Sequence, residues 1–415
     1  MTAAQKEKRA FASHIPKWQQ FQTSVALSSV KTSESATNVY QRQYAHVYAN
    51  RLNELKSRCW DNVPDNGVNR CQRVLDIAED VPNIVVGTLI KEFGVMDLFD
   101  ASMCRPDDIL VLEDESGRVH LKTDQVHQYA TGAIIAVQGT VQAGGSLAVE
   151  TFFPPAAMDF PRIEGCLNPS SSGHDPHVLF VSGLNCGEPN ASSIQRDMLL
   201  AYIQGFLTPT ASKVCRVIVA GCSTHPGDAA YGAKEMDAFL AQICATGIPV
   251  DLVPGVDDPT TANWPQRPIH SSLVKETDAF GKTFLAKTPN PYASGIGDKY
   301  VLGTDGRNVT DLAQFLRDTD GPVSEIKALE TTLRWGHICP TGPDSVPTMP
   351  HPVSDPMILP CKPHIYFAGN CSAFATKIVD DTRLVCIPKF SISGTAVLVN
   401  LETLGCELLR FDDST

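Results

Sequence analysis

At 415 residues the chain has room for two or three domains with separate cores. A hydrophobic content of 43% and a charged content of 19% exclude a disordered or a membrane-embedded chain. The 34 basic residues against 46 acidic ones give a net charge of −12, which argues against a large nucleic-acid footprint. The only basic run, Lys6-Glu7-Lys8-Arg9, is too short to change that balance.

No window is apolar for long enough to span a bilayer, and the N-terminus lacks an apolar signal core, so an intracellular protein without membrane contact is expected. Thirteen cysteines are scattered without a CxxC pair. Neither a zinc ribbon nor a redox dithiol is signalled, and buried free thiols in a reducing compartment are the expectation.

Residues 1–37 are polar and rich in Ser and Thr toward their end, the pattern of a loosely ordered arm. Asn38 with Gln41 resembles a reciprocal helix cap, and Tyr40, Tyr44, Val47, Tyr48, Leu52 and Leu55 then recur on one helical face. Between 83 and 153 the period becomes strand-like, with hairpin turns at Glu115-Ser116-Gly117 and Gly144-Gly145. About five short strands in this stretch suit a small Greek-key barrel of the OB type, so residues 38–160 are expected to form a helix plus an OB-fold domain. Its central hairpin carries Glu113, Asp114 and Glu115, which suits a structural or protein-binding barrel better than one that grips DNA.

A linker is expected around Asn168-Pro169-Ser170-Ser171-Ser172-Gly173. Beyond it come the strand 178–184, a helix capped by Ser192 and Gln195, the strand 215–221, a helix ended by Gly247, and the strand PVDLV. Continuous apolar strands between amphipathic helices mean parallel strands covered on both faces. Two further helices, one led by Asn308 and one through Ile326, Leu329 and Leu333, precede strands at 364–370, 384–390 and 395–401. A second sheet completing a two-sheet α/β sandwich over 174–415 is the economical reading.

Active groups of open α/β sheets sit at the carboxyl ends of the strands. Four such turns stand out: Ser182-Gly183-Leu184-Asn185, Gly221-Cys222-Ser223-Thr224-His225, Gly255-Val256-Asp257-Asp258 and Gly369-Asn370-Cys371-Ser372. Two-metal phosphoesterases of the calcineurin type carry DxH, GDxxD/E, GNHD/E and GHxH at such turns, because paired cations need hard oxygens and imidazoles with one bridging carboxylate. Here the glycines and spacing survive, but the ligands do not. Ser182 and Leu184 stand for Asp and His, and Cys222 and His225 for the two acids. Val256 and Asp257 replace Asn and His, and Asn370 and Ser372 replace both histidines; only Asp258 matches. A phosphoesterase shell without catalytic residues, metals or cofactors is expected. Cys222 with His225 offers only two ligands, too few for a soft-metal site, and no third is in view. His337 and His351 are read as bystanders.

The segments RQYAHVYANRL (42–52), PDDILVLEDE (106–115), LFVSGL (179–184), VIVAG (217–221), VPGVDDPT (253–260) and LGTDGRNVTDL (302–312) carry a further signal. With LRWGHICPTGPD (333–344) and DPMILPCKPHIYFAGN (355–370), they resemble the small, or B, subunits of eukaryotic DNA polymerase delta. The likeness runs from about residue 40 onward. It implies an OB domain packed on an inactive phosphoesterase domain, and a scaffold role in nuclear DNA replication and repair synthesis. One surface would dock the C-terminal cysteine-rich module of the catalytic subunit, another the N-terminal domain of a third subunit. A sliding clamp would be reached only indirectly, and the acidic balance speaks against direct DNA contact. Composition places Trp264 and Arg267, in the loop after Asp258, on a partner-binding surface. The competing readings are an active metal-dependent phosphoesterase or nuclease, like the archaeal polymerase small subunit, and a free single-strand binder using the barrel.

Overall fold

The computed structural model describes residues 44–93, 104–105, 107–161, 176–189, 193–318, 321–351 and 354–411. The expected arm, the Asn38–Gln41 cap, the linker at 168–173 and Ser192 lie outside the described residues.

The first elements in the chain are helix α1 (Ala45–Asn62), then strands β1 (Asn69–Cys71), β2 (Pro82–Glu92), β3 (Ile109–Glu113), β4 (Arg118–Lys122), β5 (Ile134–Val141) and β6 (Leu147–Phe153). Next come β7 (His177–Val181), α2 (Ser193–Ile203), β8 (Val214–Ala220), α3 (Ala229–Ala245), β9 (Val250–Val253), α4 (Lys275–Asp278) and β10 (Leu285–Lys287). Strands β11 (Tyr292–Ile296) and β12 (Lys299–Thr304) lead to α5 (Arg307–Phe315), the short pair β13 (Arg317–Asp318) and β14 (Gly321–Pro322), and α6 (Glu325–Arg334). The chain closes with β15 (Ile365–Cys371), β16 (Ala375–Val379), β17 (Thr382–Pro388), α7 (Phe390–Ser393), β18 (Thr395–Asn400) and β19 (Cys406–Arg410).

Two compact units emerge, and both are discontinuous in sequence. One gathers residues 29–159 with 308–362; the other gathers 160–307 with 363–415. In the first, the sheet order β1-β2-β3-β4-β6-β5 closes on itself through β2–β5 pairing, giving a barrel with β1 added at one edge. The turn glycines Gly144 and Gly145 both take positive φ, as a tight hairpin demands. Helix α1 lays Leu52, Leu55 and Cys59 on Ile84, Val86, Ile134 and Ala136 of the barrel. Its Arg51 is 1% exposed and reaches the segment 308–362 within the same unit: Nη1 donates to the Pro340 carbonyl at 2.8 Å and Nη2 to that of Gly342 at 2.7 Å. Residues 308–362, grouped by sequence reasoning with the C-terminal domain, thus pack with the barrel, because bonds of this range leave no trace in local periodicity.

The second unit is a sandwich. Its six-stranded sheet runs β10-β9-β8-β7-β18-β19, with β7 to β10 parallel and β18 antiparallel to β7. A five-stranded sheet, β11-β12-β15-β17-β16, lies opposite. Phe180, Ile218 and Val253 of the first sheet share a core with Tyr292, Val301, Phe367 and Val385 of the second. On its other face the first sheet buries Leu179, Val217 and Leu252 under Leu199, Met236, Leu240 and Ile243 of α2 and α3. Runs of apolar residues without alternation have this cause: both faces of β7, β8 and β9 are covered. Every described cysteine is a free thiol.

Candidate functional site

The carboxyl ends of β7, β8, β9, β12 and β15 meet at one end of the sandwich. The turns after β7 and β8 run side by side, Gly183 N donating to Gly221 O at 2.9 Å and Asn185 N to Cys222 O at 3.1 Å. Gly221 has φ +81°, and a Cβ there would lie 2.5 Å from that of Asp305; only glycine lets the backbone pass so close. Asn185, Cys222 and Asn370 also adopt positive φ, which asparagine tolerates and cysteine resists by about 1–2 kcal/mol. Left-handed residues of this kind collect at functional sites and at their remnants.

Each expected site residue has a definite place. Ser182 is fully buried; its hydroxyl accepts from Asn370 N at 2.9 Å and faces the carbonyls of Pro388 and Ile387 at 3.0 and 3.2 Å. Leu184 points into the helix-covered core. Cys222 is 4% exposed, and burial pushes its thiol well above the usual range, with Asp305 and Asp258 adding to the effect. Asp258 spans two strand ends. Its Oδ1 accepts from Ser223 N at 2.8 Å, Thr224 N at 2.9 Å and the Thr224 hydroxyl at 3.1 Å, while Oδ2 accepts from Gly255 N at 2.8 Å. Burial raises this carboxyl to about 6, against the pull of those four donors.

The remaining positions are more open. Val256 is 52% exposed and its N–H donates to Asp305 Oδ2 at 3.1 Å. The Asp257 carbonyl accepts from the Thr224 hydroxyl at 3.4 Å. His225 precedes a short turn, and its Nδ1 is buried without a hydrogen-bond partner. Asn370 Nδ2 donates to the carbonyls of Asp305 and Ala220 at 3.0 and 3.3 Å, leaving Oδ1 unpartnered. Ser372 is exposed. The structure thus joins Ser182, Cys222, Asp258 and Asn370, while Leu184 and Ser372 lie to the side.

Asp305 belongs to this cluster and escapes sequence reasoning. It is 2% exposed, its pKa raised by burial, and it accepts from Val256 N and Arg307 N. The available signal was its place in TDG, directly after a strand. Among the described residues, no group of three or more His, Cys, Asp or Glu is placed to hold a metal ion.

The loop after Asp258 corrects one expectation. Trp264 is 0% exposed, so its ring fills the interior and is not available to a partner. A large apolar ring in a Pro-rich loop reads as a surface anchor, but here the loop folds inward around it. Gln266 holds the fold: Nε2 donates to Gly255 O at 3.2 Å and Thr261 O at 3.0 Å, and Oε1 accepts from Asn290 Nδ2 at 2.7 Å. Arg267 is exposed, and only its backbone takes part, its N–H donating to Thr261 Oγ1 at 2.9 Å.

Two buried ionic clusters were also missed. In the barrel unit, Arg51 Nε donates to Asp355 Oδ2 at 2.8 Å, and the same oxygen lies 2.9 Å from His337 Nε2. Cys339 N donates to His337 Nδ1 at 3.1 Å, so the proton sits on Nε2 and points to Asp355. Burial drives His337 down to about 4. Its role is structural, and the signal was a charged Arg51 within the apolar stripe of α1. In the sandwich unit, Arg216 of β8 pairs with Asp251 of β9, which also accepts from the Tyr292 hydroxyl at 2.6 Å.

With this geometry in place, the similarities to known proteins fall into line. Residues 178–376 match the family model for the B subunits of DNA polymerases alpha and epsilon, and residues 43–152 match that for the OB-fold domain of the DNA polymerase delta subunit. The DNA polymerase delta small subunit of Oryza sativa is 31% identical over 90% of this chain and 94% of its own length. The DNA polymerase delta subunit 2 of Drosophila melanogaster shares 31% over the same fractions, and the small subunit of Saccharomyces cerevisiae shares 26% over 90% of each. The chain belongs to the DNA polymerase delta small subunit family.

The barrel of this family member is therefore an OB-fold domain. An archaeal phosphodiesterase of solved structure aligns with 56% of the chain at 9% identity and a TM-score of 0.30, a likeness too weak to carry any argument.

Proposed function

We propose that the chain is a non-catalytic accessory subunit of DNA polymerase delta that acts as a scaffold in nuclear DNA replication and repair synthesis. In this reading the sandwich unit is a calcineurin-like phosphoesterase fold whose strand-end pocket has lost its chemistry. One surface receives the C-terminal cysteine-rich module of the catalytic subunit, another the N-terminal domain of a third subunit, and a sliding clamp is engaged only through them.

The observation that carries the reading is the state of the two pocket carboxylates. Asp258 accepts three backbone N–H groups and a hydroxyl, and Asp305 accepts two backbone N–H groups, so both carboxylates face protein donors of neighbouring turns. Ser182 is committed to neighbouring backbone, Leu184 is core, and Val256 offers no donor atom. These residues do not fit a two-metal centre, which needs a bridging carboxylate and free imidazoles. The membership of the family supports the assignment to the polymerase.

Co-expression with the other polymerase subunits tests it. Retention of this chain in a stoichiometric complex, with no phosphodiester hydrolysis and no Mn or Zn by elemental analysis, is the expected result. Turnover with bound metal that survives in the wild type and disappears in an Asp305→Asn variant would overturn it in favour of an active phosphoesterase.

A further inference from the structure

Within the barrel unit, Gln128, Tyr129, Ile135 of β5 and Pro154 just after β6 line a cavity of about 200 Å³ together with residues 316–318 and with Val323 and the α6 face that carries Lys327, Thr331 and Arg334. We propose that this cavity and its rim form a docking site for an extended acidic segment of a partner protein, one apolar side chain of which enters the cavity.

Size decides against a cofactor: small-molecule pockets run from about 300 Å³ upward, and this one has room for a side chain or two. Ile135, Leu316 and Val323 contribute apolar surface to it. Among the described lining residues three cations, Arg317, Lys327 and Arg334, stand against one acid, Asp318, with Glu330 beside Arg334, in a chain of net charge −12. Charge complementarity therefore selects an anionic partner. The pairs that Lys327 makes with Asp318 and Arg334 with Glu330 are largely solvent-exposed on the cationic side, and pairs of that kind exchange partners at little cost. Arg317 is exposed.

Spacing defines the segment. Lys327 and Arg334 are two turns apart on α6, which places them about 10 Å from each other along the helix. An extended or polyproline-like chain covers that distance in about three residues, so acids at every third position meet both cations.

Aromatic geometry argues against single-stranded nucleic acid. Tyr129 packs against Phe152, at 4.4 Å, and stacks with Trp335, at 6.1 Å and 5° between planes. Trp335 is itself 5% exposed. The Tyr129 ring is thus already engaged by two aromatic neighbours, which makes it a poor platform for a stacking base.

Fluorescence anisotropy on the full chain tests the proposal with three labelled probes: a peptide repeating Glu-Pro-Leu, its Lys-Pro-Leu counterpart, and oligo-dT. The acidic peptide should bind, the basic one should not, and Arg317→Glu combined with Arg334→Glu should weaken binding about tenfold or more at unchanged thermal midpoint. Lys327→Glu should act in the same direction by a smaller factor. Equal binding of both peptides, no binding of the acidic peptide up to about 1 mM, or affinity indifferent to the charge reversals would overturn it. Oligo-dT bound more tightly than the acidic peptide, and released by the same reversals, would overturn it in favour of a nucleic-acid site.

Discussion

Two buried acids, one in each unit, solve the same problem in opposite ways. Asp355 of the barrel unit is held by charge: Arg51 Nε and the His337 Nε2–H both meet its Oδ2, and with Met357 N on Oδ1 they keep its carboxyl well below the usual range. Asp258 of the sandwich unit has no cation paired with it among the described residues and relies on three backbone N–H groups and a hydroxyl. Fixed dipoles compensate burial only in part, so its carboxyl rises to about 6. The oxygens of Asp258 are occupied by backbone amides and a hydroxyl.

Removing a partner should separate the two modes most sharply. Arg51→Met leaves Asp355 as an uncompensated buried charge and also strips two carbonyls of their donor, for an expected loss of about 3–5 kcal/mol. Urea unfolding measures it, and a loss below about 1 kcal/mol would mean that Asp355 does not depend on charge pairing. Asp258→Ala orphans several buried donors and should cost about 3 kcal/mol, whereas Asp258→Asn, which keeps one acceptor oxygen, should cost less. Equal losses in the two variants would show that the single acceptor oxygen kept by asparagine contributes nothing.

Acidity should then pull the two regions apart. His337 has a folded pKa of about 4, below its ordinary value of 6.5, so the folded state favours the neutral ring. Its contribution is fully present above pH 6.5 and falls by up to about 3 kcal/mol as the pH drops toward 4. Asp258 runs the other way. With a folded pKa raised from 3.8 to about 6, its contribution is greatest below pH 3.8 and is lost, by up to about 3 kcal/mol, as the pH rises through 6. Stability measured from about pH 4 to 6.5 should acquire a falling slope in His337→Gln and a rising slope in Asp258→Asn. Identical profiles in both variants would erase the distinction.

The smallest effect concerns the loop that follows Asp258. Arg267→Ala should change stability by no more than about 0.5 kcal/mol, because only its backbone is engaged. Trp264→Ala in the same loop should cost about 3–5 kcal/mol. A thermal midpoint that falls for Arg267→Ala as much as for Trp264→Ala would place the arginine side chain in the packing.

Much of this was legible in the chain. The turns at Ser116-Gly117 and Gly144-Gly145, the parallel strands ending at Val181, Ala220 and Val253, and the helices starting at Arg307 and Glu325 all follow from local period and turn chemistry. The strand β1 was not, since three residues carry too little pattern. Within the candidate site, Ser182, Cys222, Asp258 and Asn370 were found because each follows a strand or a turn glycine. Asp305 lacked a matching motif, and Arg216 was hidden in a run of apolar residues.

The sequence by itself determined which side chains the strand-end turns present, and a leucine at 184 and a valine at 256 have no side-chain donor atom in any conformation. It also determined the layers, since burial on one or two faces sets the period along each strand and helix. Tertiary structure alone decided who meets whom. Arg51 and Asp355 are 304 residues apart, and Asp258 meets Ser223 across 35. Such partners are chosen by the packing of whole elements, which is also why Trp264 points inward and why residues 308–362 join the barrel.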